Sequence, residues 1–435
     1  EILSDPTERA RALVQIADLQ EQGLGDKRGA FETLQQALKE EVWIEDIYSR
    51  AQILAEELNQ YAAFAKTLEE KIPSIFDTQV AAALNMRVGR IWEEKVGNES
   101  KAIDAYKRIL DQGVDEKEAL DALDRLYQAA GRWEDLLDVI ERKLTMQPVE
   151  AERSALLQRS AAIKLDRTGD IQGAIQALST VLKGSPESRE AVESLEGLLD
   201  RGEFIEEIMD VLSDTYRATG NLRKLVDLLD LKARRAETPQ DKVEILREEA
   251  VVAEEDLKDP DTAMRALLRA LWEMPDDMGL LDDLDRLCDV LGAWDVLISS
   301  LAKIVDEKKV SDDTRKDMSL RIARWAKSKT RDHVHAASWY EKYLAFDPDN
   351  AEVLAEFEEE LFAVRQYGKL LDVMERREPL EFDAEKKRQL LYTIAELSLK
   401  ETQQPDRAAE AFEKLYALDD SNLEVIDSLI ELKTV

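Results

Sequence analysis

Apolar positions along this chain recur at helical spacing. Segments such as KAIDAYKRIL, AASWYEKYL and AAEAFEKLY place their apolar residues on one face, as an amphipathic helix requires. The segment that begins at Ala102 (Ala102-Ile103-Asp104-Ala105-Tyr106) has near-copies beginning at Ala30, Ala174, Ala263, Ala336 and Ala408. Successive spacings are 72, 72, 89, 73 and 72 residues. Thirteen residues before each of these alanines stands a small residue: Ala17, Gly89, Ala161, Ala250, Ala323 and Ala395. A small side chain there lets a first helix lie close against a second. Five residues earlier comes an apolar position, held by Ala12, Leu84, Leu156, Ile245, Met318 and Leu390.

A second ladder lies between these pairs. Tyr61, Trp133, Leu222, Trp294 and Tyr367 are spaced 72, 89, 72 and 73 residues apart. Three of them follow a turn glycine by two residues: Gly131, Gly220 and Gly292. The run Leu123, Leu126, Tyr127, Gly131, Trp133 therefore predicts a helix, a Gly-terminated turn and a second helix. One 72-residue unit holds two helical hairpins. Both ladders jump by 89 at one place, which predicts an inserted amphipathic helix near 187–203, ESREAVESLEGLLDRGE. The expected architecture is an all-α, right-handed α-solenoid of about a dozen antiparallel helix pairs. The expected organisation is an N-terminal lobe over 1–186, the inserted helix or kink at 187–203, and a C-terminal lobe over 204–435, with one continuous solenoid as the alternative.

Composition agrees with this pattern. The 435 residues exceed what a single-core domain of roughly 250–300 residues holds, and only 16 Gly and 10 Pro interrupt them. The net charge of −34 disfavours phosphate backbones and anionic lipid, so no nucleic-acid partner and no direct membrane insertion are expected. One cysteine excludes an intramolecular disulfide and favours a reducing compartment, hence a cytoplasmic expectation. The chain starts at Glu1 and ends within a helical pattern, so it reads as a piece of a longer protein, and a periplasmic location stays open.

These spacings resemble the tetratricopeptide repeat. Gly89, Lys101-Ala102 and Tyr106 match its first-half and second-half positions, Ala270 its second small residue, and Pro186, Pro275 and Pro348 its closing proline. The stretch Phe346–Leu354 resembles its linker into a next repeat. Most copies lack the closing proline, and Leu136, Leu225 and Leu297 stand where the family prefers Ala. The chain is similar to long bacterial tetratricopeptide-like proteins with GRWEDLL segments. The resemblance implies that the first helix of each pair lines a groove, with residues one and four after the small position pointing into it. That register selects Arg90, Glu93, Val251, Glu254, Arg324 and Lys327, and neighbouring hairpins add Asp121, Arg125, Asp282 and Arg286.

Other candidates carry less. Cys288 shares the register of Tyr127 and Tyr216, which predicts a buried core thiol. His333 and His335 form an H-x-H in an expected loop, with Asp332 and Asp347 the only carboxylates to join them, and no metal site is expected. Runs such as Glu358-Glu359-Glu360 and Glu254-Glu255-Asp256 predict solvated helix faces. No cofactor motif and no catalytic signature is present, so the chain is not expected to be an enzyme. Trp92, Trp133 and Trp294 are expected core anchors. Trp325 lies in Arg315–Arg331, which holds seven basic residues and one acid against the acidic background. Arg324 and Lys327, with Trp325 beside them, are placed to grip an acidic or C-terminal peptide. The expected function is a scaffold or adaptor that holds a protein or peptide in the groove; the alternative is a self-assembling filament or ring component.

Overall fold

The small-residue ladder marks the line along which paired helices touch. In this computed structural model all six members, Ala17 to Ala395, are buried in the first helix of a pair. The alanine thirteen residues on lies buried in the second helix. The structure describes residues 5–41, 45–114, 116–308, 310–420 and 422–434, and among them every regular element is helical.

The chain divides into two compact units, Glu1–Thr215 and Tyr216–Val435. The first contains α1 (Pro6–Asp18), α2 (Lys27–Glu40), α3 (Glu45–Glu57), α4 (Tyr61–Lys71), α5 (Thr78–Arg90), α6 (Glu99–Gln112), α7 (Glu116–Ala130), α8 (Trp133–Thr145), α9 (Glu150–Ile163), α10 (Ile171–Gly184) and α11 (Arg189–Arg201). The division falls inside α12 (Ile205–Thr219). The second contains α13 (Leu222–Arg235), α14 (Pro239–Val251), α15 (Pro260–Glu273), α16 (Met278–Leu291), α17 (Trp294–Glu307), α18 (Asp312–Trp325), α19 (His333–Leu344), α20 (Ala351–Ala363), α21 (Tyr367–Arg377), α22 (Ala384–Lys400), α23 (Pro405–Leu418) and α24 (Leu423–Thr434). Within each unit helices pack mainly on their neighbours in the chain, the pattern of an α-solenoid. The stretch 187–203 contains α11, an added helix inside the repeating series.

Two kinds of turn alternate. The second-ladder residues Tyr61, Trp133, Leu222, Trp294 and Tyr367 are each the first residue of a helix. Two residues before each, the backbone is left-handed, at Asn59, Gly131, Gly220, Gly292 and Arg365. The other turn is wider. After the small residue, five of the six first helices loosen into a π-helical segment, such as Ile91–Val96 and Val252–Asp256. The amide nine residues after the small residue then donates to the carbonyl three after it: Asp26 to Gln20, Asn98 to Trp92, Asp170 to Lys164, Asp259 to Ala253, Asp332 to Ala326, and Gln404 to Ser398. In five copies the donor residue is Asp or Asn, and its side chain also caps the next helix.

A candidate partner-binding surface

After α5, α14 and α18, the residue four past the small position reaches the next hairpin. Glu93 pairs with Arg125 at 3.1 Å, and Glu254 with both guanidinium nitrogens of Arg286. Lys327 pairs with Glu359. These are three copies of one rung, with partners 32 residues apart, and in the third the charges are exchanged. The position one past the small residue behaves alike in two copies, while Val251 in α14 is an exposed apolar side chain. Arg90 meets Glu118 at 3.0 Å, and Arg324 meets Glu352 at 3.2 Å and Glu356 at 2.7 Å.

The basic segment on α18 is thus largely answered by acids. Lys316 pairs with Asp347, Arg321 with Asp282 and Asp317, and Lys329 with Asp289. The acids differ in how firmly they are held. Glu356 also accepts from the Tyr340 hydroxyl at 2.7 Å; burial opposes its charge, but Arg324 and Tyr340 keep its carboxyl below the usual range. Glu360 is 2% exposed and takes His333 Nδ1 at 2.7 Å. Glu352 and Glu359, in contrast, are 79% and 70% exposed at the side chain. They are rim acids, which a competing carboxylate can displace at little cost.

The remaining candidates fall into place around this row. Asp282 bonds Arg321 at 2.8 Å, and Asp121 bonds Lys143 at 2.8 Å. Trp325 corrects an expectation: it is 8% exposed and packs its ring on Trp294, centroids 5.5 Å apart, so it belongs to the core and not to the surface. It stands two residues past Ala323, a helical step that turns it away from Arg324. Trp92 is buried too, while Trp133 is half-buried under the Arg167 guanidinium, 5.0 Å from its ring.

Three further readings meet the geometry. Cys288 is fully buried, and burial, then Asp285 and Asp289, push its thiol up to about 11, which makes it inert. His333 and His335 open α19 rather than lying in a loop; His335 Nε2 accepts from Trp339 Nε1 at 2.9 Å. No group of three metal-binding side chains occurs among the described residues. The acidic run Glu358-Glu359-Glu360 is not a solvated face. Glu358 is buried against Arg377, both guanidinium bonds lying at 2.6–2.8 Å, and only Glu359 is open. Two apolar side chains stand out at the surface, Phe76 (101% exposed) and Phe382 (95%). Both follow a Pro-containing 3-10 turn and precede an Asp that caps a helix.

Comparisons with known proteins agree with the repeat. Residues 11–41 and 119–151 each match a family model described as tetratricopeptide repeat. No curated protein sequence matches. Among solved structures, one titled as Naa15/Naa10 bound to HypK-THB is 14% identical, with 98% of this chain and 74% of that chain covered, at a TM-score of 0.31. A tetratricopeptide repeat protein from Parabacteroides merdae ATCC 43184 is 15% identical, with 65% and 100% covered, at 0.20. No described helix is long and apolar enough to cross a membrane.

Proposed function

We propose that this tetratricopeptide-like helical repeat protein is a non-catalytic scaffold that binds an acidic stretch of a partner protein along α18 and α20. The observation that carries the reading is the inverted rung. Two copies place the acid on the first helix, as Glu93 and Glu254, and the third places Lys327 there with Arg324 beside it. Tetratricopeptide repeats in general mediate protein–protein contact. Partner carboxylates that replace Glu352 and Glu359 keep both cations paired and release two exposed acids to water. The gain is small per contact, and a row of contacts on rigid helices adds up at low ordering cost.

A labelled 12-residue peptide of alternating Glu and Gly tests this by fluorescence anisotropy. The expected result is saturable binding that weakens with added salt and falls at least fivefold in Arg324→Gln/Lys327→Gln. A neutral Gln and Gly peptide is expected not to bind. Equal binding of the two peptides, or an unchanged affinity in the double variant, contradicts the proposal.

A further inference from the structure

The position one residue before the small residue is buried in five of the six copies. It holds Val88, Ser160, Ile322 and Ile394 in four of them, while Ile16 in the first copy is exposed. In α14 it holds Glu249, which is 5% exposed. Its Oε2 has no hydrogen-bond partner among the described residues, and Arg269 Nη1 lies 3.8 Å away. A buried, incompletely paired carboxyl is costly beside the Ile of sibling copies. Packing gives no reason for it.

Glu249 lines a cavity of about 580 Å³ formed with α13 and α15. Four arginines share that lining: Arg223, Arg234, Arg265 and Arg269. Two of them stand where other copies have acids. Arg223 takes the position of Glu134 and Asp295, and Arg265 that of Glu32, Asp104 and Glu410. Arg234 and Arg269 share Asp230. Arg223 and Arg265 form no ion pair with a described residue; Arg265 donates only to Thr262 Oγ1, at 2.8 Å. Arg234 and Arg269 also border a second cavity, of about 410 Å³, whose lining includes Trp272, Leu246, Leu268 and Ile304. An arginine-rich chamber thus adjoins one that combines these apolar side chains with Lys242, Glu273 and Lys303, the last lying over the Trp272 ring.

The charge balance follows from the lining. Asp227, Asp230 and Asp259 oppose the four arginines. Burial, aided by Asp230 and opposed by Arg269, Arg234 and Arg265, raises the Glu249 carboxyl to about 7. When protonated it is an O–H donor, and the chamber carries one net positive charge in a chain of net charge −34.

We infer that the two cavities, which share Arg234 and Arg269 in their walls, together bind an amphipathic carboxylate. Its acid group meets Arg223, Arg265 and the protonated Glu249, and its apolar body lies against Trp272. The acid can belong to a small aryl or alkyl acid or to a peptide that ends in an apolar residue. The site uses no residue of the α18–α20 surface, so either reading can fail without the other.

Isothermal titration of the full chain tests it, with 4-phenylbutyrate, its uncharged amide, and N-acetyl-phenylalanine as probes at pH 6 and pH 8. The expected result is one-site binding of an acid at least tenfold tighter than the amide, weakening severalfold from pH 6 to pH 8. Which acid binds more tightly distinguishes the small molecule from the peptide terminus. Arg223→Glu/Arg265→Glu, which restores residue types found in sibling copies, is expected to lose binding tenfold or more. Glu249→Gln is expected to bind at pH 8 as well as at pH 6, and Arg324→Gln/Lys327→Gln to bind as the parent does. Thermal unfolding of each variant confirms that it is folded. Equal binding of acid and amide, no saturable binding by either acid, or full affinity in folded Arg223→Glu/Arg265→Glu would overturn the inference.

Discussion

Single residues in this chain are best understood against their counterparts one unit away. Gly89 is the one glycine among five alanines, and its neighbour explains why: a Cβ there would lie 2.8 Å from Cδ1 of the Tyr106 ring. That ring is held in place by the hydrogen bond from its hydroxyl to Glu93 at 2.8 Å. Gly89→Ala is therefore expected to destabilise by about 1–3 kcal/mol, although Ala fills the same position elsewhere. Denaturant unfolding measures it, and an unchanged midpoint would show that the ring yields. Glu249 gives a pH dependence with a definite sign. Its folded carboxyl titrates near 7 and the unfolded one near 4.5, so the folded state holds the extra proton between these values. Stability from this group is lost as pH rises from about 4.5 to 7, by roughly 3 kcal/mol in all. Glu249→Ile is accordingly expected to raise the melting temperature more at pH 8 than at pH 5. Equal gains at the two pH values would show that the carboxyl is not shifted. Neither residue's environment is visible in sequence, where Gly89 reads only as a small residue and Glu249 as one acid among 94.

At the scale of elements, the helices and their pairing were legible because two ladders repeat at fixed spacing. The wide turn was less so. Its signature is an Asp or Asn four residues before the ladder alanine, as in Asp26, Asn98, Asp170, Asp259 and Asp332. The signal lies in the sequence, but it is diluted by the abundance of Asp in the whole chain. One residue before this cap the backbone is left-handed in all six copies: Gly25, Gly97, Gly169, Lys258, Arg331 and Gln403. Side chains with a Cβ are strained there. Lys258→Gly, Arg331→Gly and Gln403→Gly are each expected to stabilise by up to about 1 kcal/mol, despite the flexibility glycine adds to the unfolded chain. Asn98→Ala removes the bond that its side-chain oxygen accepts from the Lys101 amide, at 3.1 Å, and is expected to cost about 1 kcal/mol. Chemical denaturation of this set is the check. Destabilisation by all three glycine variants would mean that the turn is held by its side chains.

For the whole molecule, the sequence located the candidate charges but not their partners. Arg324 is answered by Glu352 and Glu356, which lie 28 and 32 residues further on, and only the stacking of hairpins brings them together. Trp325 was misplaced because adjacency in sequence is not adjacency on a helix face. The acidic excess also sets conditions. A chain with 94 acidic and 60 basic residues repels itself at low ionic strength, and any acidic partner must first approach against that field. Association with such a partner is therefore driven by the local row on α18 rather than by long-range steering. The most direct test is affinity capture. The full chain and its Arg324→Gln/Lys327→Gln variant are immobilised side by side, exposed to lysate from the source organism, and the retained proteins identified by mass spectrometry. A partner with an acidic segment, held by the parent and lost from the equally stable variant, is the predicted result. Retention of the same proteins by both baits would contradict it and move the binding surface away from α18 and α20.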